Sequence, residues 1–117
     1  MAVKVGVDLV SIERLEKIYS RYSERFLNRI FSKAEREMFL KRGKPVRSLA
    51  ARFAAKEAVL KALGCGIGPA ALKEVEIIAE PGRAPRVRLS GEAARQAAAA
   101  GVNEFALSMT HEYPFAC

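Results

Sequence analysis

The run Arg52-Phe53-Ala54-Ala55-Lys56-Glu57-Ala58-Val59-Leu60-Lys61-Ala62-Leu63-Gly64 is alanine-rich and helix-favouring, yet it carries charges where a plain packing helix needs none. At about 100° per residue, Leu49, Phe53, Leu60 and Leu63 form one apolar stripe, with Lys56 inside it and Glu57 at its margin. A buried or half-buried charge must find a counter-charge or neutralise, so this face predicts a salt bridge, a metal or an anionic ligand. The plainer reading is an alanine-rich core helix with a Glu57–Lys61 pair at i,i+4, a contribution of roughly 0.2–0.5 kcal/mol. Taken alone, the stretch favours that plainer reading. Asp8 is the second carboxylate of interest: Val3, Val5 and Val7 alternate with Lys4, Gly6 and Asp8, the period of a short strand with one buried face. A glycine beside a carboxylate leaves room for a ligand or another backbone, although a strand-end aspartate opening a helix fits equally well. His111 is the only histidine, and a lone histidine is more often a structural hydrogen-bonder than a catalyst.

Positioning these residues falls to a single small domain of 117 residues, half of them hydrophobic, which is long enough for one core. No apolar run approaches the ~20 residues of a membrane span, and the first residues lack the layout of a signal peptide. A cytosolic location is expected by default. Cys65 and Cys117 sit in no metal-ligand spacing and are read as free thiols. The formal charge of +7, from 20 Lys+Arg against 13 Asp+Glu, points to anionic partners without choosing among them.

Along the chain, Ile12, Leu15, Ile18, Tyr19 and Tyr22 follow a helical period, with Ser11 or Asp8 as cap. Arg14, Lys17 and Arg21 line its outer face, and Arg25 continues the row if the helix runs on. After a short apolar stretch from Phe26 to Phe31, Ser32-Lys33-Ala34-Glu35 has the form of a capping box for a helix to about Lys41. Lys41, Arg42, Lys44 and Arg47 then form a basic cluster around Gly43, and Pro45 suits the start of the alanine-rich helix. Cys65-Gly66-Ile67-Gly68-Pro69 reads as a flexible turn. Glu74-Val75-Glu76-Ile77-Ile78 and Arg86-Val87-Arg88-Leu89 read as a hairpin around Pro81-Gly82-Arg83. Ser90 caps a helix over about 91–100, and a last strand over 104–110 delivers Ser108, Thr110 and His111 to one end of a sheet.

Three separated segments then line up: Gly6-Val7-Asp8-Leu9-Val10 with Arg14, Phe53-Ala54-Ala55-Lys56-Glu57-Ala58-Val59-Leu60-Lys61-Ala62, and Leu107-Ser108-Met109-Thr110-His111. Together they resemble the holo-[acyl-carrier-protein] synthases, small bacterial 4′-phosphopantetheinyl transferases. The resemblance implies transfer of the phosphopantetheine arm of coenzyme A to a serine of apo acyl carrier protein, with Mg²⁺ required and adenosine 3′,5′-bisphosphate released. It implies Asp8 and Glu57 as the metal-binding carboxylates and Glu57 and Lys61 as the catalytic residues, Lys61 as base or as counter-charge and Glu57, through a metal-bound water, as the competing base. Lys44, Arg52, Lys56 and His111 match positions that contact the coenzyme, and Arg14, Arg21 and Arg25 those that meet the acidic carrier protein. Relatives form trimers with sites between adjacent subunits, so a homotrimer is expected, and neither nucleic acid nor membrane is expected as a partner. The family continues beyond His111-Glu112-Tyr113 into a further strand, whereas this sequence ends at Pro114-Phe115-Ala116-Cys117, so that the closing strand is expected to be short or missing.

The rival readings are a small basic nucleic-acid-binding domain, which leaves Asp8 and Glu57 unexplained, and an inactive scaffold that only docks the carrier. The expected fold class is α+β, a small antiparallel sheet packed around a long central helix, with smaller helices outside.

Overall fold

The computed structural model describes residues 3–66 and 68–117; Met1, Ala2 and Ile67 lie outside the described residues, and with Ile67 goes the centre of the glycine-rich turn expected after Gly64. A two-residue strand β1 (Val10–Ser11) runs straight into helix α1 (Ile12–Tyr22). Ser11 is the cap: its hydroxyl accepts the Arg14 N–H at 3.2 Å and satisfies one of the helix's orphan donors. At Ser23 the backbone takes φ 45°, which ends α1, and a separate helix α2 (Glu24–Ile30) begins, built from the apolar stretch that had no assigned structure. Helix α3 (Lys33–Lys41) opens on the expected capping box, Ser32 and Glu35 exchanging hydrogen bonds of 2.9 and 3.2 Å.

Helix α4 (Val46–Leu63), 18 residues long, ends where Gly64 adopts φ 73° and its N–H bonds back to the Leu60 and Lys61 carbonyls. Left-handed backbone is what glycine permits without strain, so the helix stops there. A short helix α5 (Pro69–Lys73) follows, not foreseen in the sequence. The predicted hairpin is present as β2 (Val75–Ile78) and β3 (Arg86–Leu89), antiparallel from Val75 opposite Leu89 to Ile78 opposite Arg86. Helix α6 (Gly91–Ala99) comes next, then β4 (His111–Glu112) and β5 (Phe115–Ala116).

The α+β class is as expected, but the strands form two small antiparallel sheets, β1-β5-β4 and β2-β3, rather than one. Both contact α4, whose Leu49, Leu60 and Leu63 join Ile12, Phe31, Phe39, Val75 and Ile77 in a single core. Strand β5, two residues long, is the central member of its sheet.

Two expected strands differ. Residues 3–9 and 103–109 have no regular secondary structure, and no backbone ladder joins them to another strand among the described residues. The alternation of the first segment is real with its faces reversed: Val3, Val5, Val7 and Leu9 are 84, 83, 68 and 63% exposed, while Gly6 and Asp8 turn inward. Period 2 fixes which residues share a side, not which side meets the core.

Candidate active site

Gly6 explains how Asp8 reaches α4. A Cβ on Gly6 would stand 1.9 Å from the Ala58 carbonyl oxygen and 3.0 Å from the Ala62 nitrogen, so only glycine lets this segment lie directly on the helix backbone. Two residues on, the Asp8 carboxylate lies over the next part of the same helix surface. Lys61 donates to Asp8 Oδ1 at 2.6 Å and reaches the Val7 carbonyl at 3.5 Å. Asp8 is 10% exposed at its side chain against 47% for Lys61, so the carboxylate is held in the protein while the ammonium straddles its edge.

Glu57, one turn before Lys61, presents its carboxyl to Asp8. Its pKa is raised, first by burial, then by the negative charge of Asp8 and the hydrogen bond between the two carboxyls, with Lys61 opposing. The Lys61 pKa is raised too, first by its hydrogen bond to Asp8. Asp8 and Glu57 border a cavity of about 470 Å³ whose polar rim they share with Ser11 and Arg14 and whose wall is Leu15, Ile18, Phe26, Phe53 and Phe115. An apolar wall beside two facing carboxylates lowers the local dielectric and strengthens every charge interaction there.

Asp8 and Glu57 are the side chains fit to hold a divalent cation. Among the described residues no cluster of three or more His, Cys, Asp or Glu side chains is present. Two hard oxygen donors suit Mg²⁺, which keeps several waters and fills its shell from substrate phosphates. The pair already draws an ammonium to 2.6 Å, which shows that its field favours a cation.

The opposite side of the same helix corrects one expectation. Lys56, expected to contact the coenzyme, is 0% exposed and cannot touch a ligand. Its three donors are used: it bonds the Leu72 carbonyl at 2.9 Å, the Val75 carbonyl at 2.7 Å and the Glu35 carboxylate, and its charge lies 5.1 Å from the Phe31 ring centre. Glu35 is equally committed, accepting from Ser32 and, at 3.0 Å, from the Ile77 N–H. Burial pushes the Lys56 pKa down, partly offset by Glu35. Lys56 is a structural lysine, and the salt bridge, one of the three partners anticipated for this helix, is the one it has.

Arg52, one turn earlier, is 4% exposed and shares that side, bordering a cavity of about 80 Å³ with Glu35, Glu76 and Glu80; burial lowers its pKa, with Glu35 opposing. Within one chain Arg52 is not brought to the Asp8–Glu57 pair. Lys44, held in a left-handed turn with φ 60°, and His111, on β4, are exposed and border neither cavity described here. Arg14 and Arg21 are exposed on α1, Arg14 at the cavity and Arg21 stacked 5.4 Å over Tyr22. Arg25 stands on α2, beyond the break at Ser23, so the row does not continue on one helix.

The aromatic wall went unforeseen. Phe26 and Phe53 lie with ring centres 6.4 Å apart, and Phe115 completes the cavity from the C-terminal strand. Phe53 was legible as part of the α4 stripe, but nothing in its spacing says that it borders a cavity rather than fills the core. Arg47, stacked 4.9 Å over the Tyr113 ring, likewise joins elements far apart in sequence.

A model of the 4′-phosphopantetheinyl transferase superfamily matches residues 4–117, and the chain belongs to that family. Among individual relatives, the holo-[acyl-carrier-protein] synthase of Moorella thermoacetica is 44% identical over 114 residues, covering 97% of this chain and 88% of its own. In three dimensions the chain resembles the holo-[acyl-carrier-protein] synthase of Neisseria meningitidis, with a TM-score of 0.85, 33% identity, and coverage of 99% of this chain and 94% of that one. It also resembles the Helicobacter pylori enzyme solved in complex with coenzyme A, with a TM-score of 0.77, 35% identity, and coverage of 96% and 93%.

Proposed function

We propose that the chain is a holo-[acyl-carrier-protein] synthase, transferring the 4′-phosphopantetheine group of coenzyme A to a serine hydroxyl of apo acyl carrier protein and releasing adenosine 3′,5′-bisphosphate. The observation that carries this reading is the convergence of Asp8 and Glu57, from two segments far apart in sequence, at the rim of one cavity, with Lys61 bonded to Asp8. Mg²⁺ held by Asp8 and Glu57 would neutralise the diphosphate and stabilise the leaving bisphosphate. In the reaction the serine oxygen forms a bond to the phosphorus bearing the pantetheine arm, and the bond from that phosphorus to the bridging oxygen breaks. The leaving oxygen takes the electron pair, and the serine proton passes to a base.

The raised pKa of Lys61 keeps its ammonium charged, so it serves as a counter-charge to the phosphates. Glu57 is then the competing proton acceptor, acting through a water rather than with the oxygen that would hold the cation. Phe26, Phe53 and Phe115 give the cavity an apolar wall beside the carboxylate pair.

The remaining assignments form part of the same proposal. Arg14 and Arg21, with Arg25 beside them on α2, meet the acidic carrier protein; Lys44, Arg52 and His111 contact coenzyme bound at a neighbouring copy's carboxylate pair. The oligomer is a homotrimer, supported by the exposed row of Val3, Val5, Val7 and Leu9 and by segments 3–9 and 103–109, which pair with no strand among the described residues. A cytosolic working place belongs to this reading; what the described residues show is that no helix is long and apolar enough to cross a membrane. Incubation with coenzyme A, Mg²⁺ and apo acyl carrier protein should add the phosphopantetheine mass to the carrier, and no mass shift with folded protein would refute the enzyme. Light scattering giving a single-chain mass would refute the trimer.

A further inference from the structure

Lys61 meets two demands that one ammonium cannot satisfy together. Its Nζ stands 2.6 Å from Asp8 Oδ1, on the carboxylate that would hold a divalent cation, and 3.5 Å from the Val7 carbonyl. A counter-charge to an incoming diphosphate must instead point away from that carboxylate. Two cations packed on one carboxylate repel each other, and the divalent ion attracts the pair more strongly. Leaving is easy for Lys61: its side chain is 47% exposed, on the last turn of α4, and carries a flexible four-carbon stem. Asp8, 10% exposed and anchored by the close approach of Gly6 to Ala58, stays where it is. The contrast with Lys56 is informative, because that ammonium is fully enclosed by acceptors and has nowhere to move.

We infer that Lys61 is a built-in counter-ion of the Asp8–Glu57 pair, displaced when a divalent cation binds, so that metal loading both fills the carboxylates and turns the ammonium toward the diphosphate. The inference rests on the assignment of the cation to Asp8 and Glu57. It gives Lys61 opposite effects on two ligands: it competes with the metal and assists the coenzyme. A lysine that merely braced the fold would weaken both when removed.

The test is Mn²⁺ titration into the full chain without coenzyme, free Mn²⁺ being read by electron paramagnetic resonance, for the unaltered chain, Lys61→Met, Lys61→Gln, and Lys61→Met combined with Asp8→Asn. Circular dichroism identifies the variants that fold, and the second neutral variant stands in if the first does not. Removing the competing charge should tighten Mn²⁺ binding about tenfold or more, and Asp8→Asn should abolish the gain. Calorimetry with Mg²⁺ present should show coenzyme A binding weakened several-fold in the same single variants. Mn²⁺ affinity unchanged or lowered in the folded single variants, with binding still dependent on Asp8, overturns the exchange and leaves the metal assignment standing. Binding indifferent to Asp8→Asn overturns both.

Discussion

Lys56 and Glu57 are neighbours on α4, yet they belong to opposite kinds of chemistry. Lys56 faces α3, α5 and β2, where each donor meets an acceptor and no solvent reaches. Glu57 faces Asp8 and the cavity, half-buried, its pKa raised by burial and by a like charge. One face is electrically closed and the other is left unbalanced. A closed network adds to the definition of the fold, whereas an unbalanced pair of carboxylates is a demand for a cation or a proton. The difference separates structural from functional charge on a single helix, where composition alone treats them alike.

The sharpest way to break this contrast is to open the closed face. Lys56→Ala leaves Glu35 buried without its partner and should cost about 3–5 kcal/mol of stability in a denaturant melt. A loss under about 1 kcal/mol would mean that the pair contributes little and that the two faces differ less than their geometry says. Lys56→Met, which fills the volume, should recover part of that loss.

A smaller effect should appear with pH. A raised carboxyl pKa means that Glu57 keeps its proton to a higher pH than a solvated carboxyl does. Ionising it costs the ligand-free fold stability as pH rises from the ordinary value to the raised one. A cation held by Glu57, as proposed, would need the ionised form, so Mn²⁺ affinity should fall as pH drops through the raised value. Lys61 works in the other direction: its contribution is present below the ordinary lysine value and is lost only as pH rises through its raised one. An acid limit for Mn²⁺ affinity no higher than that of a free carboxylate would remove the coupling of Asp8 to Glu57.

The smallest effect concerns the rim. Arg14→Ala with Arg21→Ala should weaken carrier-protein binding a few-fold and flatten its salt dependence while sparing coenzyme affinity, because exposed charges steer encounter more than they drive chemistry. A fall in coenzyme affinity alone would place these arginines at the phosphates instead.

Much of the local structure could be read from the sequence because its causes are local. The Ser32–Glu35 box, the Ser11 cap and the Gly64 stop depend on residues within a turn of one another. The carboxylate pair was legible through resemblance, and its convergence depends on Gly6, whose need for backbone contact no spacing reveals until Ala58 lies beneath it. The fate of Lys56 was half legible. Its place in an apolar stripe demanded a partner, but the choice of Glu35 over a phosphate is made by the packing of α3 on β2. Val3, Val5 and Val7 were placed on the wrong side because alternation is symmetric; Gly6 alone can approach the helix, which turns the valines outward.

The central claim is that Glu57, and not its neighbour, carries the chemistry. Glu57→Gln removes one charge and almost no volume, so the most direct measurement is the rate of phosphopantetheine transfer to apo acyl carrier protein by this variant, followed by mass. Transfer should fall about 100-fold or more while the melting temperature stays near that of the unaltered chain. Near-normal transfer by the folded variant would contradict the account.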